Sequence, residues 1–278
     1  MSSLYQLIGH PLGHSLSPFI HERLFTLSGA EGRYTLKDLS PDSFEAEAAT
    51  LLPTLAGGNV TIPYKQRIVP LLDRLDGKAA LYRTVNTFKV TREETVGYNT
   101  DADGFLAALR EADVPLKGQA VLLGSGGAAT VFACEAALAG CQVTLYRPFD
   151  TASAEALCER VNGLAGRTAC RIEDRFPEGS VDLLLNATPV GMYPHTDACP
   201  VDTALVSRCA AVFDAIYNPR RTRLLEAAAA SGTKAVGGMA MLVWQAAIAH
   251  THWYGARFSS ESIDELIALC YDELEAKF

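Results

Sequence analysis

Two charged residues have the types and the setting of a proton-transferring pair. Lys65 ends the segment GGNVTIPYK, in which we predict a strand ending at Val60 and a helix beginning at Pro63. In the first turn of a helix, the positive end of the dipole lowers the pKa of a lysine, whereas a nearby carboxylate raises it. Asp101, in GYNTDADGF, is the candidate carboxylate. A lysine balanced in this way can exchange a proton with a substrate, although this segment alone leaves an ordinary surface lysine open.

Hydroxyl and amide side chains accompany this pair. In GHPLGHSLSPFIH, Ser15 and Ser17 precede Pro18, which suits the first turn of a helix. Their hydroxyls would then lie near a helix N-terminus, a place that suits a bound carboxylate. A serine there can equally serve as a helix cap. Asn86, in TVNTF, adds an amide able to bond a hydroxyl.

A glycine-rich turn predicts a dinucleotide site. Residues 120–138, AVLLGSGGAATVFACEAAL, read as a buried strand, a turn and a helix. Gly124, Gly126 and Ala129 fill the pattern G-x-G-x-x-G/A, which allows a sharp turn, close approach of a pyrophosphate and packing of helix on strand. The helix would point free N–H groups at the phosphates. A further strand at Gln142–Tyr146 supplies the context that the motif needs.

Composition favours an enzyme and argues against several other classes. A chain of 278 residues, 49% of them hydrophobic, can bury a large core. It has no apolar run of ~18 residues and no signal-like start, so we expect a cytoplasmic protein without membrane spans. The net charge of −8 argues against nucleic acid as a partner. The seven cysteines and the histidines at 10, 14 and 21 lack metal-ligand spacing, so we expect no metal.

The order of the elements predicts two α/β regions. The first begins with a strand at Tyr5–Gly9 and ends in a hairpin around Arg92–Glu94. From about Ala102, helices alternate with buried strands, which predicts a doubly wound parallel sheet. Two helices, Met239–Tyr254 and Ser260–Lys277, follow.

Seven ordered motifs resemble those of the shikimate dehydrogenase family. They are G-x-P-x-x-H-S-x-S-P at 9–18, N-V-T-x-P-x-K at 59–65, V-N-T at 85–87, N-T-D-x-x-G at 99–104, the glycine turn from 124, N-A-T-x-x-G-M at 186–192 and G-M-x-M-L-V-x-Q at 238–245. The resemblance covers nearly the whole chain. It implies a substrate-binding α/β domain of residues 1–101 and 239–278, a Rossmann-type dinucleotide domain of residues 102–238, and an active site in the cleft between them.

The resemblance also implies a reaction and a role for each site residue. The chain would reduce 3-dehydroshikimate to shikimate with NADP, in aromatic amino-acid biosynthesis. Lys65 and Asp101 would be the catalytic acid–base pair. The substrate would be bound by Ser15, Ser17 and Tyr217 at its carboxylate and by Asn59, Thr61, Asn86 and Gln245 at its hydroxyls. The cofactor would be bound by Gly124, Gly126, Gly127, Ala128, Arg147, Asp150, Asn186, Thr188, Gly238 and Met241.

Departures from the family pattern leave alternatives open. Arg83 stands, with Thr84, where the family commonly has G-A, which places an added positive charge near the substrate ring. The strand at Gln142–Tyr146 is followed by Arg147, Pro148, Phe149 and Asp150, and we expect a longer loop after them. Arg147 suits the 2′-phosphate of NADP, whereas Asp150 could accept bonds from the ribose of NAD.

The longer loop is similar to that of the shikimate/quinate branch, so quinate is the alternative substrate and NAD the alternative cofactor. A cofactor-binding regulator on the same fold is a more distant alternative. As partners we expect small molecules only, in a monomer or homodimer.

Overall fold

The computed structural model describes residues 3–13 and 15–277. In chain order, the strands and helices are β1 (Ser3–Gly9), α1 (Ser17–Ser28), β2 (Gly32–Asp38), α2 (Phe44–Leu51), β3 (Gly57–Val60), β4 (Arg74–Leu75), α3 (Gly77–Tyr82), β5 (Thr87–Val90), β6 (Thr95–Tyr98), α4 (Thr100–Glu111), β7 (Gln119–Leu123), α5 (Gly127–Leu138), β8 (Gln142–Tyr146), α6 (Thr151–Ala165), β9 (Cys170–Glu173), β10 (Val181–Asn186), α7 (Thr203–Val206), β11 (Cys209–Asp214), α8 (Arg223–Ala230), β12 (Lys234–Gly237), α9 (Gly238–Tyr254) and α10 (Ser260–Lys277).

The chain divides into two compact units. The first unit is Met1–Gly104 with Val243–Phe278, and the second unit is Phe105–Leu242. The motifs place the boundaries of the functional domains at 101/102 and at 238/239. These boundaries stay a prediction. Within the described ranges, no helix is long and apolar enough to cross a membrane. His14 lies outside those ranges, and inside them no group of three or more His, Cys, Asp or Glu side chains could hold a metal ion.

The sheet of the first unit is mixed. Its strand order is β2-β1-β3-β5-β6-β4, with β1 parallel to both of its neighbours and β5 antiparallel to both of its own. The predicted hairpin is therefore confirmed as β5 and β6. Side chains alternate across β1, so that Ile8 packs with Phe44 and Tyr64 on one face and Tyr5 packs with Trp253 on the other.

The predicted helix at Pro63 is wrong. The segment makes turns instead, followed by a short 3-10 helix, Val69–Leu71. The Lys65 carbonyl accepts the backbone N–H of Val85 at 2.8 Å, whereas an α-helix would use it for the N–H four residues further along. Lys65 is therefore not in the first turn of a helix, and the argument from the helix dipole does not apply to it.

The six strands of the second unit form the expected parallel sheet. Their order is β9-β8-β7-β10-β11-β12, which is 3-2-1-4-5-6 when the strands are numbered within the unit. This is the order of the dinucleotide-binding doubly wound fold, and β7 and β10 flank the point where the winding reverses. The predicted α/β class with a Rossmann-type sheet is confirmed.

The longer loop expected after Asp150 is wrong. Helix α6 begins at Thr151, because the Asp150 carboxylate accepts the backbone N–H of Ser153 and so caps the helix. This helix leads to β9, which the sequence did not predict. Two of the four residues of β9 are charged, Arg171 and Glu173, so the strand lacks the continuous apolar run that marks its neighbours.

Candidate active site

Lys65 and Asp101 meet in the first unit. The Lys65 Nζ lies 2.5 Å from Asp101 Oδ2, and the two side chains keep 31% and 17% of their surface exposed. Lys65 lies in the turns after β3, and Asp101 lies in the first turn of α4. Because an ammonium group has three donors, the bond to Asp101 leaves donors for a ligand. The pair can therefore hold and deliver a proton.

Asn86 supports the aspartate of this pair. Its Nδ2 donates to Asp101 Oδ1 at 2.9 Å and lies 3.4 Å from Gln245 Oε1, while its Oδ1 accepts the backbone N–H of Thr100 at 2.7 Å. Each carboxylate oxygen of Asp101 thus has its own partner, Asn86 on one side and Lys65 on the other. Asn86 and Gln245 are buried, so these bonds form with little competition from water.

Asn59 is joined to this pair through Asn86 and is only 5% exposed. Its Nδ2 donates to the Asn86 carbonyl at 3.2 Å and to Thr87 Oγ1 at 2.9 Å, and its Oδ1 accepts the Tyr34 hydroxyl at 2.7 Å. Both amide hydrogens are thus used within the protein. A direct bond from Asn59 to a substrate hydroxyl would have to replace one of them, and that role stays a prediction.

The loop that leads from β1 to Ser15 and Ser17 is held from two sides. Asp38 accepts the backbone N–H of Leu12 at 2.8 Å and lies 2.6 Å from His10 Nδ1, and these bonds, the Leu12 bond first, lower the pKa of Asp38. Gly9 lies so close to Thr61 that a Cβ there would come within 2.4 Å of the threonine methyl carbon. Thr61, itself half-buried, follows β3 directly. The motifs did not single out Asp38 or its bond to His10.

Ser15 and Ser17 are both half-buried at the start of α1. The residue at the N-cap is Leu16, whose side chain makes no capping bond. The Ser15 hydroxyl accepts the backbone N–H of Ser17 at 3.2 Å, which leaves its own hydrogen to donate. The two hydroxyls therefore lie at a helix N-terminus, the setting expected for a carboxylate site.

In the second unit, the glycine turn leaves the space that a pyrophosphate needs. Gly124 has φ +98°, and a Cβ there would lie 3.0 Å from the Ala187 carbonyl oxygen, so the fold itself requires a glycine. At Gly126 and Gly127, a Cβ would meet nothing within 4 Å. The chain leaves these positions open above the N-terminus of α5, with Ala128 half-buried after them. These residues fit a dinucleotide.

A cavity of about 350 Å³ lies beside this turn. It is lined by Leu123, Gly124, Tyr146, Arg147, Phe149, Thr188, Cys199, Pro200, Val201 and Asp202. Three of these were predicted, Gly124, Arg147 and Thr188. They follow the carboxyl ends of β7, β8 and β10, where ligands bind in doubly wound sheets. Sequence reasoning missed Tyr146, Phe149 and the segment 199–202, which carries no motif.

Two residues are candidates for contact with the adenosine ribose of the cofactor, Arg147 and Asp150. They have different surroundings. Arg147 lines the cavity, with its guanidinium carbon 5.2 Å from the centre of the Tyr146 ring and its Nε donating to the Asp174 carbonyl at 2.9 Å. Asp150 is not among the residues that line this cavity. Its oxygens bond the Ser153 N–H and hydroxyl, and these bonds lower the pKa of Asp150.

Asn186 supports Thr188, one of the residues that line the cavity. It is fully buried, and its Oδ1 accepts both the backbone N–H of Thr188 at 3.0 Å and the Thr188 hydroxyl at 2.7 Å. Its Nδ2 donates to Asp214 Oδ1 at 2.9 Å. Burial raises the pKa of Asp214 against the opposing bond from Thr222. Asn186 therefore places Thr188, while contact of its own side chain with a cofactor stays a prediction.

Three further predicted residues lie between the end of β11 and the first turn of α9. Tyr217 is half-buried, and burial raises its pKa. Gly238 begins α9, where a Cβ would lie 2.1 Å from the Ala215 carbonyl oxygen, so packing alone requires glycine there. Met241 is half-buried on the same helix. Their proposed contacts with substrate or cofactor stay predictions.

The second unit has a doubly wound sheet with a glycine turn beside the point where the winding reverses, and the first unit carries a lysine–aspartate pair. Together they define a dinucleotide-binding α/β protein equipped for acid–base chemistry. The model of the shikimate dehydrogenase substrate-binding domain matches residues 7–88. Over 274 aligned residues the chain is 40% identical to a shikimate dehydrogenase (NADP(+)) of Methanopyrus kandleri, covering 94% of this chain and 93% of that protein. The chain belongs to the shikimate dehydrogenase family.

Solved structures agree with this assignment. The shikimate 5-dehydrogenase of Thermus thermophilus in complex with NADP(H) and shikimate is similar with a TM-score of 0.84 and 32% identity, covering 96% of this chain and 99% of that one. A quinate dehydrogenase of Corynebacterium glutamicum in complex with NAD is similar with a TM-score of 0.85 and 31% identity, covering 96% and 99%. Overall similarity to solved structures therefore does not separate the two substrates.

Proposed function

We propose that this chain catalyses the reversible, NADP-dependent reduction of 3-dehydroshikimate to shikimate, a step of aromatic amino-acid biosynthesis. The observation that carries the proposal is the Lys65–Asp101 pair, with Nζ and Oδ2 2.5 Å apart and the carboxylate held by Asn86. A cofactor-binding regulator would not require this pair. Membership of the family supplies the substrate class.

Lys65 acts as the general acid in the reduction. NADPH, when bound, supplies the hydride to the carbonyl carbon, and the carbonyl oxygen then needs a proton. The Lys65 ammonium delivers that proton as negative charge develops on the oxygen. Asp101 accepts a hydrogen bond from the ammonium group and so keeps it in place for the transfer.

The remaining side chains orient the substrate. Ser15 and Ser17 bind its carboxylate at the start of α1, where the helix dipole adds to their hydrogen bonds. Thr61, Asn86 and Gln245 bond its hydroxyl groups. The half-buried or buried position of each of these residues supports the assignment, because a ligand bond gains strength where water is partly excluded.

The cavity of the second unit favours NADP over NAD. Arg147 lines it and offers a planar fork of donors to a 2′-phosphate. Asp150, the residue that would favour NAD, already has both carboxylate oxygens bonded in the cap of α6. Binding of NAD remains the alternative, as does quinate as a substrate. A cytoplasmic location and a monomeric or homodimeric state stay predictions from the sequence.

One assay matrix tests the proposal. Purified protein is assayed with shikimate and with quinate, each with NADP and with NAD, and kcat/KM is determined for the four combinations. We expect the highest value for shikimate with NADP. A higher value for quinate would replace the substrate, a higher value with NAD would replace the cofactor, and no turnover in any combination would refute the enzyme assignment.

A further inference from the structure

Two cysteine thiols of the second unit lie in contact with each other. Cys158 of α6 and Cys170 of β9 are free cysteines, 9% and 3% exposed, and their Sγ atoms lie 2.9 Å apart. Because a disulfide bond is about 2.05 Å long, the two sulfurs stand within about 1 Å of bonding distance. Neither residue lines the cavity beside the glycine turn. The proposed reaction therefore gives no role to these two residues, here called the thiol pair.

A hydrogen-bonding side chain holds α6 and β9 together at the same place. Asn162 lies one turn after Cys158 on α6, so the two side chains project from the same face of the helix. Asn162 Oδ1 accepts the backbone N–H groups of Ala169 and Cys170, each at 2.7 Å. Its Nδ2 donates to the Cys170 carbonyl at 3.0 Å. These three bonds fix Cys170 opposite Cys158, so the contact between the thiols is built into the alignment of α6 on β9.

The bond between the two thiols makes them chemically unequal. The bond from Cys170 lowers the pKa of Cys158, whereas that bond, together with burial, raises the pKa of Cys170. All seven cysteines lie within the described ranges, and the pKa of each of the other six is raised. At Cys141 and Cys209, for example, burial raises the pKa to about 11. Because the thiolate is the nucleophile, Cys158, also the more exposed of the thiol pair, is the residue suited to react first.

We propose that the thiol pair is a redox modification site: Cys158 and Cys170 form a reversible disulfide bond when the protein meets hydrogen peroxide, and this bond stabilises the fold by joining α6 to β9. The site is separate from the acid–base pair and does not rest on the proposed function. In a reducing compartment, a disulfide of this kind is transient and forms in response to an oxidant.

The reaction takes place in two steps. The Cys158 thiolate attacks one oxygen of hydrogen peroxide, the O–O bond breaks, and Cys158 becomes a sulfenic acid while hydroxide leaves and takes up the proton that the thiol had released. The Cys170 sulfur then attacks the Cys158 sulfur, so that the S–S bond forms and the S–O bond breaks. The second hydroxide leaves with the proton of Cys170. Two thiols and one peroxide thus yield one disulfide and two waters, and a dithiol reverses the oxidation by exchange.

The first test uses the wild-type protein and needs no activity. Reduced protein is treated with hydrogen peroxide, the remaining thiols are alkylated, and the intact mass and the peptides are measured by mass spectrometry. We expect the loss of two hydrogens, one cross-linked peptide pair containing Cys158 and Cys170, and full reversal by dithiothreitol. Oxidation of the half-buried Cys199 alone, a link between two chains, or no reaction would overturn the proposal.

The second test checks the order of the two steps. Without its partner, Cys158 in the variant Cys170→Ala should stop at the sulfenic acid, which dimedone traps as a covalent adduct. Cys158→Ala should give no adduct at Cys170. An adduct at Cys170 in Cys158→Ala, with none at Cys158 in Cys170→Ala, would overturn the assignment of Cys158 as the residue that reacts first.

The third test measures the stabilising effect of the bond. Cys209→Ala is the matched control, because Cys209 is a buried cysteine of the same unit whose thiol bonds the Leu205 carbonyl. Tm is measured for each protein before and after treatment with peroxide. We expect the Tm of the wild type and of Cys209→Ala to rise by about 5–10 °C, since the disulfide restricts the unfolded chain, and the Tm of Cys158→Ala to stay unchanged.

The outcomes of the third test separate the two parts of the proposal. An unchanged Tm in a wild type whose disulfide has formed would overturn the stabilising role. An equal rise in Cys158→Ala would show that the effect of peroxide does not come from the thiol pair. Because none of the three tests measures turnover, their failure would leave the proposed function untouched, and an inactive wild type would leave the thiol pair untouched.

Discussion

The two units prepare their sites by different means. In the first unit, amide side chains do this: Asn59 donates to the backbone carbonyl of Asn86, and the Asn86 side chain donates to Asp101. In the second unit, the backbone does most of this work, since Gly124 turns the chain and Gly126 leaves space at the N-terminus of α5. A substitution in the site of the first unit should therefore lower the catalytic rate, whereas a substitution in the site of the second unit should weaken or block cofactor binding. Four predictions test this comparison.

The largest effect is expected at the acid–base pair. Lys65→Ala should lower kcat ~100- to 10,000-fold, the usual contribution of a general acid, while the Kd for NADPH stays nearly unchanged. Steady-state rates and fluorescence titration with NADPH measure the two quantities. Lys117→Ala, an exposed lysine of the second unit, is the control. Turnover of Lys65→Ala within threefold of wild type would show that the lysine has no catalytic role.

Arg147 should separate the two cofactors. Arg147→Ala should lower kcat/KM with NADP ~10- to 100-fold, the loss of one or two charge-assisted bonds, and barely change it with NAD. Arg171→Ala, an exposed arginine on β9 that does not line the cavity, is the control. Equal losses with both cofactors would mean that Arg147 supports the cavity wall and does not read the phosphate.

Two glycines of the same turn should respond in opposite ways. Gly126→Ala puts a methyl group into open space, so it should raise the KM for NADP about tenfold, the cost of about one lost phosphate bond, with little change in Tm. Gly124→Ala forces a side chain onto a residue with φ +98° and should cost on the order of 1–3 kcal/mol of stability. If Gly126→Ala left the KM unchanged, the open space would not be the pyrophosphate site.

The smallest effect concerns the pH dependence of stability. His21 and His250 have folded-state pKa values below the unfolded value of 6.5, so the unfolded chain binds protons that the folded chain excludes. Their contribution to stability is full above pH 6.5 and is lost as the pH falls from there toward about 3. Tyr34 and Tyr254, which face the pair, have raised pKa values and do not titrate in this window.

His250→Gln should therefore make the loss of unfolding free energy on acidification shallower, by up to about 1.4 kcal/mol per pH unit for one excluded proton. Urea unfolding between pH 4.5 and 7 measures this slope. His195→Gln, at an exposed histidine of the second unit, is the control. An unchanged slope in His250→Gln would mean that His250 is not buried in its neutral form.

Sequence reasoning was most successful where the evidence is local. The strand–turn–helix at Gly124 and the hairpin of β5 and β6 formed as predicted, because backbone freedom of glycine and alternation of burial are read within a few residues. It failed at Pro63, where a proline suggested a helix start, and at β9, whose charged residues hid a strand. In both places, partners from other segments decided the outcome.

The sequence by itself determined the fold class, the family and the identity of the acid–base candidates, because these depend on residue types and their spacing. Only the tertiary structure decided that Asp150 caps a helix, that Asn59 donates both amide hydrogens to groups of the protein, and that His21 forms a hydrogen bond with His250. The physical reason is distance along the chain. A hydrogen bond selects its partner by position and direction in space, and His21 and His250 stand 229 residues apart.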